Sequence, residues 1–149
     1  MKRKLIALFG VVFVATTSWA QNDRYEKRAI AYAKQISVSQ LEKGLPAQRF
    51  ADWFSVAVGS QAKIKWEVND CGEQTGTSAD VGRDFPSCVE ANAELNDGPR
   101  AVVRIAVGTF NKGILGPPSI NYCFVEDRKE IRDVKNLGDL QRVLAGITK

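Results

Sequence analysis

Val89-Glu90-Ala91-Asn92-Ala93-Glu94-Leu95-Asn96-Asp97-Gly98-Pro99-Arg100-Ala101-Val102-Val103-Arg104-Ile105-Ala106-Val107 is the stretch on which the fold turns. Val89, Ala91, Ala93 and Leu95 alternate with Glu90, Asn92 and Glu94, and Val103, Ile105 and Val107 alternate with Val102, Arg104 and Ala106. A period of two over such lengths means strands with one packed and one solvated face. Leu95 and Val103 must share the packed face. A two-residue Asp97-Gly98 turn would pair Leu95 with Arg100 and break that phase. A three-residue loop, Asn96-Asp97-Gly98, restores it, with Gly98 in the left-handed conformation such loops need. In this register Glu94 lies opposite Arg100 and Glu90 opposite Arg104. Charge and hydrophobic patterns therefore select the same pairing. The plain role of these four charges is to keep a sheet face soluble.

Outward from the hairpin, Ala62, Ile64, Trp66 and Val68 alternate with Lys63, Lys65 and Glu67, which predicts a preceding strand. A fourth strand is expected over 119–126, after Pro117-Pro118, with Ile120, Tyr122 and Phe124 inward. A charged stretch, 126–132, follows it. Upstream, Tyr25, Ala29, Tyr32, Ala33 and Ile36 share a helical stripe over 25–36, weakened at its end by Ser37-Val38-Ser39. After the break at Gly44-Leu45-Pro46, Pro46 is suited to begin a second helix. That helix carries Phe50, Trp53, Phe54, Ala57 and Val58 on one face and stops at Gly59. The stripe reads as core. The chain closes with a helix from Asn136, where Asn136 and Asp139 resemble a capping box. Its buried face is Leu137, Leu140, Val143, Leu144 and Ile147. The expected fold is α+β in the order α-α-β-β-β-β-α: a four-stranded antiparallel meander with the helices on one face. There is no internal repeat and no second domain.

The first twenty residues have a different character. Lys2-Arg3-Lys4 precedes an apolar run from Leu5 to Ala15, and Ser18-Trp19-Ala20 supplies small residues at the positions a signal peptidase inspects. Residues 1–20 are read as a secretory signal peptide and 21–149 as a single exported domain, secreted or periplasmic. The alternative is an uncleaved anchor, but the uncharged stretch 5–21 falls short of the roughly 20 residues that span a bilayer. No Cys follows the small-residue site, as a lipoprotein would require, and no Asn-x-Ser/Thr acceptor occurs. Three of the 21 basic residues and none of the 17 acidic ones lie in the leader, so the net charge of +4 falls to +1 without it. The case for a nucleic-acid partner disappears with that excess.

Export permits disulfides. Of the three cysteines, Cys71 and Cys88 bracket a polar segment and form the preferred pair. Cys123 lies in the apolar run Ile120-Asn121-Tyr122-Cys123-Phe124-Val125, as a small core residue or as a free thiol able to dimerise.

The chain has no His, which removes Ser-His-Asp and Cys-His catalysis and His-containing zinc sites. Three Cys fall short of an all-thiolate zinc site. Gly108 and Gly113 have the spacing of a phosphate loop, but Ile114 stands where Lys is needed. No cofactor or metal is implied. Carboxylates remain: Asp70, Glu73, Asp80 and Asp84, as a general acid/base pair or an oxygen-ligand calcium site. In a meander, the segments 72–87 and 109–118 leave the sheet at the same end. Both exceed hairpin length, and the second places Phe110, Lys112, Ile114 and Leu115 in a loop. The resulting expectation is a non-enzymatic domain that binds a protein or envelope component. Its candidate binding residues are Phe110, Lys112, Ile114, Leu115, Asp70 and Glu73. The alternative is an exported hydrolase using Asp70 and Glu73.

Overall fold

The computed structural model describes residues 16–71, 87–96, 98–108, 117–128 and 130–147, with side chains from Asp23 onward and Asp70 by its backbone alone. Helices α1 (Thr16–Gln35), α2 (Val38–Leu41) and α3 (Phe50–Val58) precede strands β1 (Lys63–Asp70), β2 (Ser87–Glu94), β3 (Arg100–Gly108), β4 (Ser119–Asp127) and β5 (Glu130–Val134), and α4 (Leu137–Ile147) closes the chain. The strands form one antiparallel meander in the order β1-β2-β3-β4-β5. The α+β class and the general order of helices, strands and a closing helix are as the periodicity predicts, but the short helix α2 is additional and the sheet has five strands rather than four. β5 comes from the charged stretch. Four of its five side chains are exposed and only Val134 is half-buried, so its identity rests on backbone pairing with β4. Charged, short edge strands of this kind carry little hydrophobic signal.

The central hairpin adopts the expected register, with Glu94 opposite Arg100 and Glu90 opposite Arg104. Leu95 N–H donates to Pro99 O at 2.8 Å, and Gly98 sits at φ 104°. The three-residue loop therefore does what the phase required, and glycine meets the positive φ without a Cβ clash.

The helices break where backbone groups are spent elsewhere. α1 begins earlier than expected, at Thr16, and buries Ala29 and Ala33, with Ile36 just beyond its end. Val38 N–H donates to Gln48 O, and Phe50 N–H to Ile36 O at 2.7 Å. That bridge between Ser37 and Arg49 closes off the intervening chain, which forms the short helix α2 followed by turns. Hence α3 starts at Phe50, not at Pro46. Gly59, at φ 93°, ends it. Phe50, Trp53, Phe54 and Val58 are buried. Phe50 stacks on Phe54 at 5.5 Å and meets the Trp66 ring edge-on at 5.9 Å. The aromatic stripe is core.

These helical side chains join Val89, Ala91, Ala93, Ala101, Val103, Ile105, Val107, Cys123 and Val125 in a single apolar cluster. The inward set on β4 corrects one expectation. Cys123 and Val125 face the helices, and Tyr122 and Phe124 face away. A bulge is responsible: Arg104 pairs with Tyr122, but the next residue, Ile105, pairs with Ile120, leaving Asn121 extra. The bulge inverts the facing along β4. Ile120 remains against the core as predicted.

Candidate functional site

The face of the sheet turned away from the helices carries an ordered polar cluster on β2, β3 and β4. Glu90 Oε2 accepts hydrogen bonds from Arg104 Nη2 at 2.8 Å, Arg104 Nε at 3.2 Å and the Tyr122 hydroxyl at 2.8 Å. Glu90 is only 9% exposed, so this face is not simply wet. The three residues come together through two features. The hairpin register sets Glu90 opposite Arg104, and the Asn121 bulge turns Tyr122 outward opposite Arg104. The Arg104 guanidinium lies 4.4 Å from the Tyr122 ring centroid, a separation at which the ring face attracts the cation.

One step along the strands the pattern repeats. Tyr122 stacks on Phe124 at 5.8 Å, and Arg100 lies over Phe124, also at 5.8 Å. Arg100 Nη2 pairs with Glu126 Oε2 at 2.7 Å. Thus Arg100, although opposite Glu94 in register, makes this ion pair with β4. Val102, between the two arginines on β3, is buried yet lies outside the main core cluster. Burial pushes the Tyr122 hydroxyl above its ordinary pKa, helped by its hydrogen bond to Glu90 and that carboxylate's negative charge. Protonated Tyr122 and charged Arg104 are committed to Glu90. The three side chains thus hold one another in a fixed arrangement on this face.

Sequence reasoning identified the Glu90–Arg104 pairing but not Tyr122, Phe124 or the clustering. The available signal is the aromatic pair at spacing two on β4, which the alternation by itself places inward.

The sequence-predicted edge is partly in view. Cys71 and Cys88 form a disulfide with their Cα atoms 5.0 Å apart, and Cys88 is fully buried. Asp70 is the last residue of β1 and pairs with Ser87, which pairs in turn with Gly108. Ala106 pairs with Ser119. The strand ends flanking 72–86 and 109–116 therefore lie at one end of the sheet. Glu73, Asp80, Asp84, Phe110, Lys112, Ile114 and Leu115 lie outside the described residues. Among the described residues, no group of three His, Cys, Asp or Glu side chains is placed to hold a metal.

Cys123 is a free, buried thiol that donates to Val134 O at 3.1 Å. Burial, reinforced by the charges of Glu42, Asp139 and Asp133, pushes it up to about 11. It is a core residue without nucleophilic character at neutral pH.

No protein-family model, characterised protein or solved structure matches the chain.

Proposed function

We propose that this chain is an exported, non-enzymatic binding domain that recognises a protein or another envelope component. Its recognition surface is the sheet face turned away from the helices together with the disulfide-clamped end. The observation that carries this reading is the asymmetry of the sheet. Among the described residues, every buried helical side chain packs on one face, while the other presents Arg100, Arg104, Tyr122 and Phe124 in interlocked order. Arginine and aromatic side chains held rigidly are the groups that dominate binding energy at interfaces. Their mutual stacking lowers the entropy lost on binding.

Export is supported by the leader pattern of residues 1–20, by the Cys71–Cys88 disulfide and by the start of the core. The first buried residue among the described side chains is Ala29, so cleavage after Ala20 would remove none of that core. No described helix is long and apolar enough to cross a membrane.

The test places a photo-crosslinking amino acid at Phe124, at Asn111 or at Val56, which is 76% exposed on α3, in the protein expressed in its own host. The expected result is a discrete adduct from Phe124 or Asn111 and none from Val56, on a chain whose N-terminus is Gln21. Adducts equally frequent from Val56, or none at all, would overturn the binding reading. An intact Met1 N-terminus would overturn export.

A further inference from the structure

We propose that β1 is a self-recognition edge, and that two copies of this chain join β1 to β1 antiparallel about a two-fold axis at Trp66, extending both sheets into one. This does not depend on the reading of the sheet face turned away from the helices. β1 is an edge strand paired only with β2, so its outer backbone groups have no strand partner among the described residues. Such an edge is a template for another strand. Its inward residues Ile64, Trp66 and Val68 pack against the core but are only partly buried. They carry the apolar layer to the rim of the sheet.

The side chains choose the register. A two-fold axis perpendicular to the sheet keeps helices on the same side and requires like-facing residues to pair. Centred on Lys65, the pairing sets that ammonium against its own copy. Centred on Glu67, it sets two carboxylates together. Centred on Trp66, it sets Lys65 opposite Glu67 of the second copy and Glu67 opposite Lys65, with Lys63 opposite Asn69. On the inner face Trp66 meets Trp66 and Ile64 meets Val68. No like charges of β1 itself then face each other directly, while the Lys34 ammonium of each copy stays over its own Trp66 ring, 5.0 Å from the centroid, on the inner side of the seam. Lys65 and Glu67 pair with one another along the strand at 2.5 Å, with side chains 74% and 40% exposed, so spanning the seam exchanges this exposed pair for the same pair between copies. The other edge, β5, is shorter, and the same axis placed at its centre would oppose Arg132 to itself. Pairing β1 with β5 would leave both ends open and propagate.

Sedimentation equilibrium over a micromolar concentration series tests the proposal on protein expressed from the full sequence. The wild type is expected to dimerise. Lys65→Glu and Glu67→Lys each place two like-charge pairs across the seam and should weaken dimerisation about tenfold or more. The double variant restores opposite charges and should return close to wild type. A monomer throughout, a dimer indifferent to the single substitutions, or a double variant no better than the singles would overturn the proposal. Hydrogen exchange on the wild type decides the matter even if a variant fails to fold. Protection of the amides of 63–69 should rise with concentration, and concentration-independent protection would refute the pairing.

Discussion

The Glu42 carboxylate caps a helix that begins ninety-five residues later in the chain: Glu42 Oε2 accepts from the Leu137 N–H at 2.6 Å and the Gly138 N–H at 3.2 Å. Asn136 Oδ1 takes the Asp139 N–H at 2.8 Å. Three of the unpaired donors at the start of α4 are thus satisfied, and a negative charge sits at the positive end of its dipole. The contact also ties the chain after α2 to the C-terminal helix. Glu42→Ala should destabilise the domain by about 1–2 kcal/mol in urea unfolding, and Glu42→Gln by less, because its amide oxygen still accepts. Equal losses would show that the negative charge carries the whole contribution and that a neutral amide oxygen cannot replace it.

The Glu90–Arg104–Tyr122 cluster predicts unequal costs. Glu90→Ala leaves the Arg104 guanidinium, 19% exposed in its side chain, without its carboxylate, and should cost about 2–4 kcal/mol. Tyr122→Phe removes one hydrogen bond while keeping the ring under Arg104, and should cost about 1 kcal/mol. A double-mutant cycle between the two sites should show coupling, since both act through Glu90 Oε2. Additive losses would argue that the cluster is not a unit.

Cys123 should be unreactive in the folded protein. Disulfide-exchange reagents at pH 8 should modify it only at the rate of unfolding, whereas in denaturant it should react at once. Rapid native labelling would contradict its burial.

Alkaline pH should erode stability in two windows. The Cys123 thiol is held up at about 11 in the folded chain, above its ordinary value of 9.0. The folded state therefore binds the proton more tightly than the unfolded state. That contribution is complete below about pH 9 and is lost as pH rises through about 11. Tyr122, also raised, adds a loss that begins near its ordinary pKa of 10. Cys123→Ala and Tyr122→Phe should each flatten the corresponding part of a stability profile between pH 8 and pH 11.

Replacing both Cys71 and Cys88 with Ala should lower stability by about 3 kcal/mol, the loop-closure value for a bridge of this span. The separation is 17 residues. Reduction of the wild type should give a similar loss in denaturant titrations, and no loss on reduction would mean that the bridge does not constrain the unfolded chain.

Much of the architecture was legible because its determinants are local. The β2–β3 register followed from the phase of Leu95 and Val103 and from the charges of Glu90, Glu94, Arg100 and Arg104. The stripe of Phe50, Trp53 and Phe54 identified α3, although not its first residue. β4 was misfaced because a single extra residue, Asn121, changes parity without altering composition. β5 was missed because Glu130-Ile131-Arg132-Asp133-Val134 buries almost nothing. At the candidate site, one ion pair was legible and its aromatic half was not, since Tyr122 turns outward only through the bulge.

The sequence alone determined the α+β class, the meander through the central hairpin, the Cys71–Cys88 pairing and the aromatic core helix. Each depends on periodicity or spacing within one or two neighbouring elements. The tertiary structure decided the fifth strand, the outward turn of Tyr122 and Phe124, the sharing of Glu90 between Arg104 and Tyr122, and the capping of α4 by Glu42. Apart from the fifth strand, which pairs with its immediate neighbour β4, those features arise from groups distant in sequence. Their geometry is set only when the strands pair and the helices dock, because a buried carboxylate or an open helix end takes whichever donor or acceptor the fold brings within reach.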